Sequence, residues 1–271
     1  MAKKAKYIHG FDPIEQKRLV HQAEFLEPYV YTGIDLEFQE KLLEVGCGVG
    51  AQSKILLRRF PKLHIDGLDI SQAQLGAAKN YLKPEIKDKR MALFQGDAQT
   101  FTMKNKKYDA AFLCWFLEHV PDPLKVLKRT RQHLKSGAKI YCTEVFNQTL
   151  FVQPYSPAYL KYWFEFNDFQ WSLGGHPFVG GMLGHYLKQA GFVDIQTEIR
   201  SFHFDSREPH RRKLFVDYFY QILLSAKEGL LKEGRVTPEM IRQMDKEVEK
   251  VKRSADSVFF YAWMRATARV P

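Results

Sequence analysis

The stretch that most constrains this chain is Lys41-Leu-Leu-Glu44-Val-Gly46-Cys47-Gly48-Val-Gly50-Ala51-Gln52. An apolar run ends in glycines at alternate positions, and Ser53-Lys-Ile-Leu-Leu57 follows with helical spacing. The order reads as strand, tight loop, helix. Glycine suits such a loop because the chain doubles back through dihedrals that other residues resist, and because a missing Cβ lets a ligand lie against the main chain. The amides that open the next helix then point at whatever occupies the loop.

Gly46-x-Gly48-x-x-Ala51 also satisfies a dinucleotide fingerprint, and short glycine patterns arise by chance. Glu44 stands two residues before the first glycine, and Asp69 closes the next apolar run, His64-Ile-Asp-Gly-Leu-Asp69. A carboxylate at the end of the second strand can accept both hydroxyls of a ribose. Asp69 therefore supports a nucleoside without choosing between nicotinamide and adenosyl cofactors.

Further on stand Gly96-Asp97-Ala98 and Leu117-Glu118-His119-Val-Pro-Asp-Pro123. Together with Glu44-x-Gly46-x-Gly48-x-Gly50 and Asp69, these motifs resemble class I S-adenosylmethionine-dependent methyltransferases over residues 40 to 145. The resemblance is nearest to the branch of quinone-pathway and natural-product small-molecule enzymes. It implies an α/β fold: a doubly wound, mostly parallel seven-stranded sheet with an antiparallel last strand, plus helical and aromatic lid insertions. It also implies S-adenosylmethionine as cofactor and S-adenosylhomocysteine as product. Glu44, Gly46, Cys47, Gly48, Asp69, Ile70, Asp97, Ala98 and Cys114 become the cofactor-binding candidates. In that scheme Asp97 accepts from the adenine amino group, Ala98 offers its amide, Ile70 walls the base, and the Cys114 carbonyl meets the methionine part. On the residues alone, the alternative for Asp97 is to cap a short helix over 99–103.

A length of 271 residues fits one domain spanning 1–271, with an N-terminal helical arm over 1–40, an aromatic lid insertion over 146–181 and a helical insertion over 208–254. The arm holds Tyr7 and His9, then Asp12-Pro13 as a cap followed by a first-turn proline. Alternating strands and helices follow: strands 41–46, 63–69, 91–95, 108–115 and 138–144, with helices 50–59, 71–82 and one opening at Pro123. That alternation predicts a parallel sheet with ligands beyond the carboxyl ends of its strands. The last two strands are expected over 193–203 and 258–268.

Between 146 and 171 rings crowd the chain, including Tyr159, Trp163 and Phe166, above the place where an acceptor must sit. A lid of rigid rings excludes water and suits an aromatic or cationic guest. The pairs Gly174-Gly175 and Gly180-Gly181 read as hinges for it. The 208–254 excursion offers a substrate wall or a homodimer contact.

Methyl transfer from a sulfonium is an in-line displacement, so the protein supplies approach geometry and a dry site, and a base only where the acceptor must lose a proton. His119, Glu144 and Tyr7 are the catalytic candidates, with His9 and His176 behind them. His119 can equally serve by holding backbone.

The 41 basic and 31 acidic residues give a net charge of +10, which raises nucleic acid as a partner. The basic runs, from Lys3–Lys6 onward, mostly adjoin acidic residues or fall at helical spacing, as solvated faces do. Neither the Asn-Pro-Pro-aromatic motif of adenine methyltransferases nor the Pro-Cys pair of cytosine C5 enzymes occurs. The expected partner is a small-molecule methyl acceptor, ahead of RNA or protein, and ahead of cofactor binding without transfer. Three cysteines, Cys47, Cys114 and Cys142, suit neither a disulfide framework nor a metal site. No apolar run spans a bilayer and no secretory signal opens the chain, so a cytoplasmic location is expected.

Overall fold

A computed structural model describes residues 7–104 and 106–271; the basic run Lys3–Lys6 lies outside them. Five parallel strands form the centre: β1 (Lys41–Val45), β2 (His64–Asp69), β3 (Met91–Gln95), β4 (Tyr108–Cys114) and β5 (Leu134–Val145), in the order β3-β2-β1-β4-β5. Beyond β5 lies β8 (Val258–Arg269), the strand that runs against the rest, with β7 (Val193–Phe204) on its outer edge.

Among the described residues the sheet has eight strands rather than the expected seven. The extra one is β6 (Phe151–Gln153), which pairs with Val258 to Phe260 of β8, while β5 pairs with the following stretch of the same strand from Trp263. It therefore continues the lane of β5 after a break. Strand periodicity could not show it, because three residues carry no alternation to read.

The central strands are apolar at consecutive positions because both faces are covered. Leu42, Phe112 and Tyr141 point into one core, and their neighbours Leu43, Leu113 and Cys142 into the other. Helices α1 (Pro13–Val30), α2 (Ala51–Arg59), α3 (Gln72–Tyr81), α4 (Lys83–Lys87), α5 (Pro123–Arg131) and α7 (Leu183–Gln189) accompany the strands. Helix starts follow local chemistry: Asp12 Oδ1 accepts from the amides of Ile14 and Glu15, Ser71 Oγ from Gln74, and Asp122 Oδ1 from Lys125. α5 stops at Arg131 and β5 starts at Leu134, four residues earlier than the glycine at 137 suggests. No helix over 99–103 forms; a turn stands there, with Asp97 Oδ1 accepting from Gln99 N at 2.8 Å.

A layer of helices covers the carboxyl ends of the strands: α6 (Pro157–Ser172), α8 (Pro209–Ser225), α9 (Lys227–Lys232) and α10 (Pro238–Arg253). The rings of 146–171 are divided among three environments. Tyr159, Tyr162 and Phe169 are packed in the core, Trp163 and Phe166 are buried but also face a cavity, and Tyr155, Phe164 and Trp171 are exposed. Tyr159 is thus a packing residue and not a ligand contact.

One glycine of each pair is demanded by packing. Gly174, with φ +91°, follows the last turn of α6 as a left-handed cap. A Cβ on Gly175 would lie 2.6 Å from the Glu118 carbonyl oxygen, and one on Gly180 would lie 2.5 Å from that of Val145. Close approach to backbone is their reason. Among the described residues no helix is long and apolar enough to cross a membrane.

Candidate active site

The glycine loop is anchored at its base, where the amides of Gly46 and Cys47 both donate to the carbonyl of Leu68, at 2.8 and 3.0 Å. Gly46 has φ +77°, and a Cβ there would fall 2.1 Å from the ring of Phe116. Gly48 has φ +52° and open space where its Cβ would be. Its amide donates to Asp69 Oδ2 at 2.9 Å, while Asp69 Oδ1 accepts from Ser71 N at 2.8 Å. Burial raises the Asp69 pKa, and those backbone amides oppose the shift.

The loop opens on a cavity of about 760 Å³. Its floor is the row of strand ends that the sequence singled out: Gly46, Cys47, Gly48, Asp69 and Ile70, then Asp97, Ala98 and Cys114, all line it. Its far wall is apolar and comes from remote segments, with Trp163 and Phe166 of α6, Tyr218 and Phe219 of α8, and Tyr261 of β8. Helix α1 closes a third side with Arg18, Leu19 and Gln22.

Tyr7, His9 and His119 meet inside this cavity. The Tyr7 ring meets His119 edge to face, with centroids 4.8 Å apart, and the two imidazole centroids are 5.9 Å apart. The Tyr7 hydroxyl donates to Glu15 Oε1 at 2.9 Å, and Glu15 is clamped by Arg18 through two contacts of 2.6 Å. Burial, then the charge of Glu15, pushes the phenol well above its ordinary pKa. His119 turns Nε2 toward Glu118 Oε1 at 3.6 Å and Nδ1 toward Gln170 Nε2 at 3.5 Å. Its pKa is lowered, chiefly by burial, with Glu118 opposing.

Three candidates do not line the cavity. Glu144 is fully buried, and its Oε1 accepts from the amides of Phe116 and Leu117 at 3.1 and 2.8 Å. Burial, reinforced by the charge of Glu118, pushes its pKa up to about 8. It fastens the turn that follows β4 rather than facing an acceptor. His176 sits outside, edge-on to Trp171 at 5.1 Å. Glu44 lies beneath the glycine loop, where it accepts from the Ser53 hydroxyl.

Glu44 has its own signature. Burial pushes its pKa up to about 8 from 4.5, against the Ser53 hydrogen bond. The folded state keeps a proton that the unfolded chain releases, so Glu44 lowers stability progressively as pH rises from about 4.5 to about 8. Glu44→Gln keeps an acceptor for Ser53 and removes this titration. Melting temperatures without ligand should favour the variant increasingly over that window, and parallel curves would contradict the assignment.

Residues missed by sequence reasoning include Trp115, which takes φ +49° just past β4, and the rings of α8 and β8. An apolar residue at a strand end was a usable signal for Trp115. The α8 rings carried only helical periodicity, which marks a buried face without saying what it faces.

Residues 43–140 match the family model of a methyltransferase domain. Over these residues the chain carries a methyltransferase domain of the class I, S-adenosylmethionine-dependent kind. This domain is 32% identical over 131 residues to malonyl-[acyl-carrier protein] O-methyltransferase 1 of Ilyobacter polytropus, covering 48% of this chain and 46% of that one. It is 29% identical over 158 residues to demethylmenaquinone methyltransferase of Lactococcus lactis subsp. lactis, covering 58% of each. The chain thus spans about half the length of these curated relatives. In fold it is similar to phosphoethanolamine N-methyltransferase 2 of Haemonchus contortus in complex with S-adenosyl-L-methionine, with a TM-score of 0.60 and 17% identity, covering 100% of this chain and 60% of that one. The methyltransferase fold accounts for the strand order and for the cavity at the strand ends.

Proposed function

We propose that this chain is an enzyme that moves the methyl group of S-adenosylmethionine directly onto a small, largely apolar molecule, leaving S-adenosylhomocysteine. The observation that carries the reading is a single cavity joining the glycine loop, Asp69 and Asp97 at one end to Trp163, Phe166, Tyr218 and Phe219 at the other.

In this reading Gly48 lets the cofactor lie against the loop, Asp69 exchanges its amide partner for the ribose hydroxyls, and Asp97 with Ala98 receives the adenine beside Ile70. Cys47 lies under the cofactor, and the carbonyl of Cys114 takes the amino group. The cofactor supplies an electrophilic methyl whose leaving thioether needs no proton. The chain orients that methyl, and its buried rings keep water out of the transfer path. Residues 1–271 act as one domain, and the 1–40 arm, the 146–181 segment and the 208–254 segment supply the walls. α6 supplies one wall in this account, and Gly175 and Gly180 beyond its C-terminal end pack against backbone.

The apolar wall of rings at the acceptor end also argues for a small acceptor over RNA or protein. The binding test is calorimetric titration with S-adenosylhomocysteine and, separately, with a nicotinamide dinucleotide. Saturable one-site binding of the first alone is expected. Binding of the dinucleotide alone would overturn the reading.

A further inference from the structure

We propose that His9 takes the proton from the methyl acceptor, that Ser225 fixes the tautomer which leaves His9 Nε2 bare, and that the acceptor is accordingly a phenol or enol. The proposal rests on the transferase reading above.

Ser225 closes α8, and its hydroxyl oxygen lies 2.6 Å from the carbonyl oxygen of Ile222 and 2.5 Å from His9 Nδ1. A hydroxyl has one proton. The carbonyl can only accept, so that proton goes to Ile222. Two lone pairs facing each other at 2.5 Å would repel, so the remaining contact requires a proton on Nδ1, donated to Ser225 Oγ. The neutral ring is favoured, because burial first, then the charge of Arg18, holds its pKa well below the ordinary value. A neutral imidazole protonated at Nδ1 carries its lone pair on Nε2.

Nε2 of His9 has no partner among the described residues, and the ring lines the cavity between Tyr7, His119 and Phe166. The other basic candidates are placed differently. His119 makes only long contacts, with Nε2 3.6 Å from Glu118 Oε1 and Nδ1 3.5 Å from Gln170 Nε2, and stands as the rival base. The Tyr7 proton is given to Glu15, and Glu144 is outside the cavity. His9 differs from His119 in that its Nδ1 is pinned by a short contact to Ser225, which leaves Nε2 facing the cavity.

The step balances. A lone pair of the acceptor oxygen attacks the methyl carbon while the carbon–sulfur bond breaks and its electron pair stays on sulfur. The O–H proton passes to His9 Nε2, and the imidazolium returns it to water as products leave. The positive charge lost from the sulfonium reappears on the imidazolium, so the apolar site gains no net charge, and the Ser225 oxygen faces the new cation. A phenol or enol gives up its proton to an imidazole far more readily than an alkanol does, and its flat conjugated body suits the wall of rings at Trp163, Phe166 and Phe219. A neutral amine needs no base before transfer.

The test has two arms on the full chain. ¹⁵N-histidine spectra near neutral pH, with His9 assigned by difference from His9→Gln, should show a neutral ring protonated at Nδ1. Ser225→Ala should shift it toward the Nε2–H form, and Ser225→Thr should restore it. In parallel, 2-naphthol, catechol and hydroquinone are offered as acceptors beside benzylamine and thiophenol. The phenols should be methylated, with kcat reduced about a hundredfold or more in His9→Gln. Ser225→Ala should lower kcat without changing S-adenosylhomocysteine affinity, and Ser225→Thr should recover it. A charged or Nε2–H His9 in the unmodified protein overturns the proposal, as does full turnover in His9→Gln. Methylation of the amine or thiol alone, or of nothing while S-adenosylhomocysteine binds, overturns the acceptor class. Failure of S-adenosylhomocysteine to bind overturns the transferase reading instead.

Discussion

Replacing Trp163 with alanine should lower the unfolding free energy by about 3–5 kcal/mol, read from urea denaturation without ligand. The indole is 3% exposed and stacks on Phe166 with ring planes 4° apart. Its N–H donates to the carbonyl of Asn147 at 2.7 Å, so truncation removes a large apolar contact and also orphans a buried acceptor. Asn147 is held in turn by Tyr261 and Asn167 through bonds of 2.8 and 2.7 Å. The loss should therefore exceed that of a ring on the rim. Phe164, at 58% exposure on the same helix, is the control: its alanine variant should change stability by less than about 1 kcal/mol. Equal losses at the two positions would mean that the α6 rings do not divide between core and surface as described.

Asp69→Ala should weaken binding of S-adenosylhomocysteine by about 1.5–3 kcal/mol, the loss of hydrogen bonds to a charged group, or roughly ten- to 150-fold in Kd. Asp69 spans Gly48 N and Ser71 N, so removing it also loosens the turn that presents the glycine loop. Stability should change less than affinity, because the loop keeps its two anchors on the Leu68 carbonyl. Titration calorimetry together with melting curves separates the two effects. Unchanged affinity would remove Asp69 from the cofactor site.

The parts of the site legible in the sequence are those whose chemistry is local. Gly46, Gly48 and Gly50 all take positive φ, and Asp69 and Asp97 end their strands at the cavity because a parallel α/β unit delivers every strand end to the same side. What failed was orientation. Glu144 and Val145 are neighbours, yet Val145 lines the cavity and Glu144 turns to the amides of Phe116 and Leu117. A one-residue step in a strand reverses the face, and the apolar run around these residues gave no alternation to reveal it. Glu44 was misread in the same way. The glycine pairs misled for another reason: Gly-Gly reads locally as a turn, while the demand for glycine at 175 and 180 comes from carbonyl oxygens of residues 118 and 145. Ser225 lies 216 positions from His9, and no local pattern could have paired them.

The most direct measurement is transfer from methyl-labelled S-adenosylmethionine in the presence of a metabolite extract, total RNA and unfolded protein, followed by separation of the three fractions. The account predicts label in organic-extractable small molecules, dependent on this chain and suppressed by added S-adenosylhomocysteine. Label accumulating in RNA or protein, or in none of the fractions despite saturating cofactor, would contradict it.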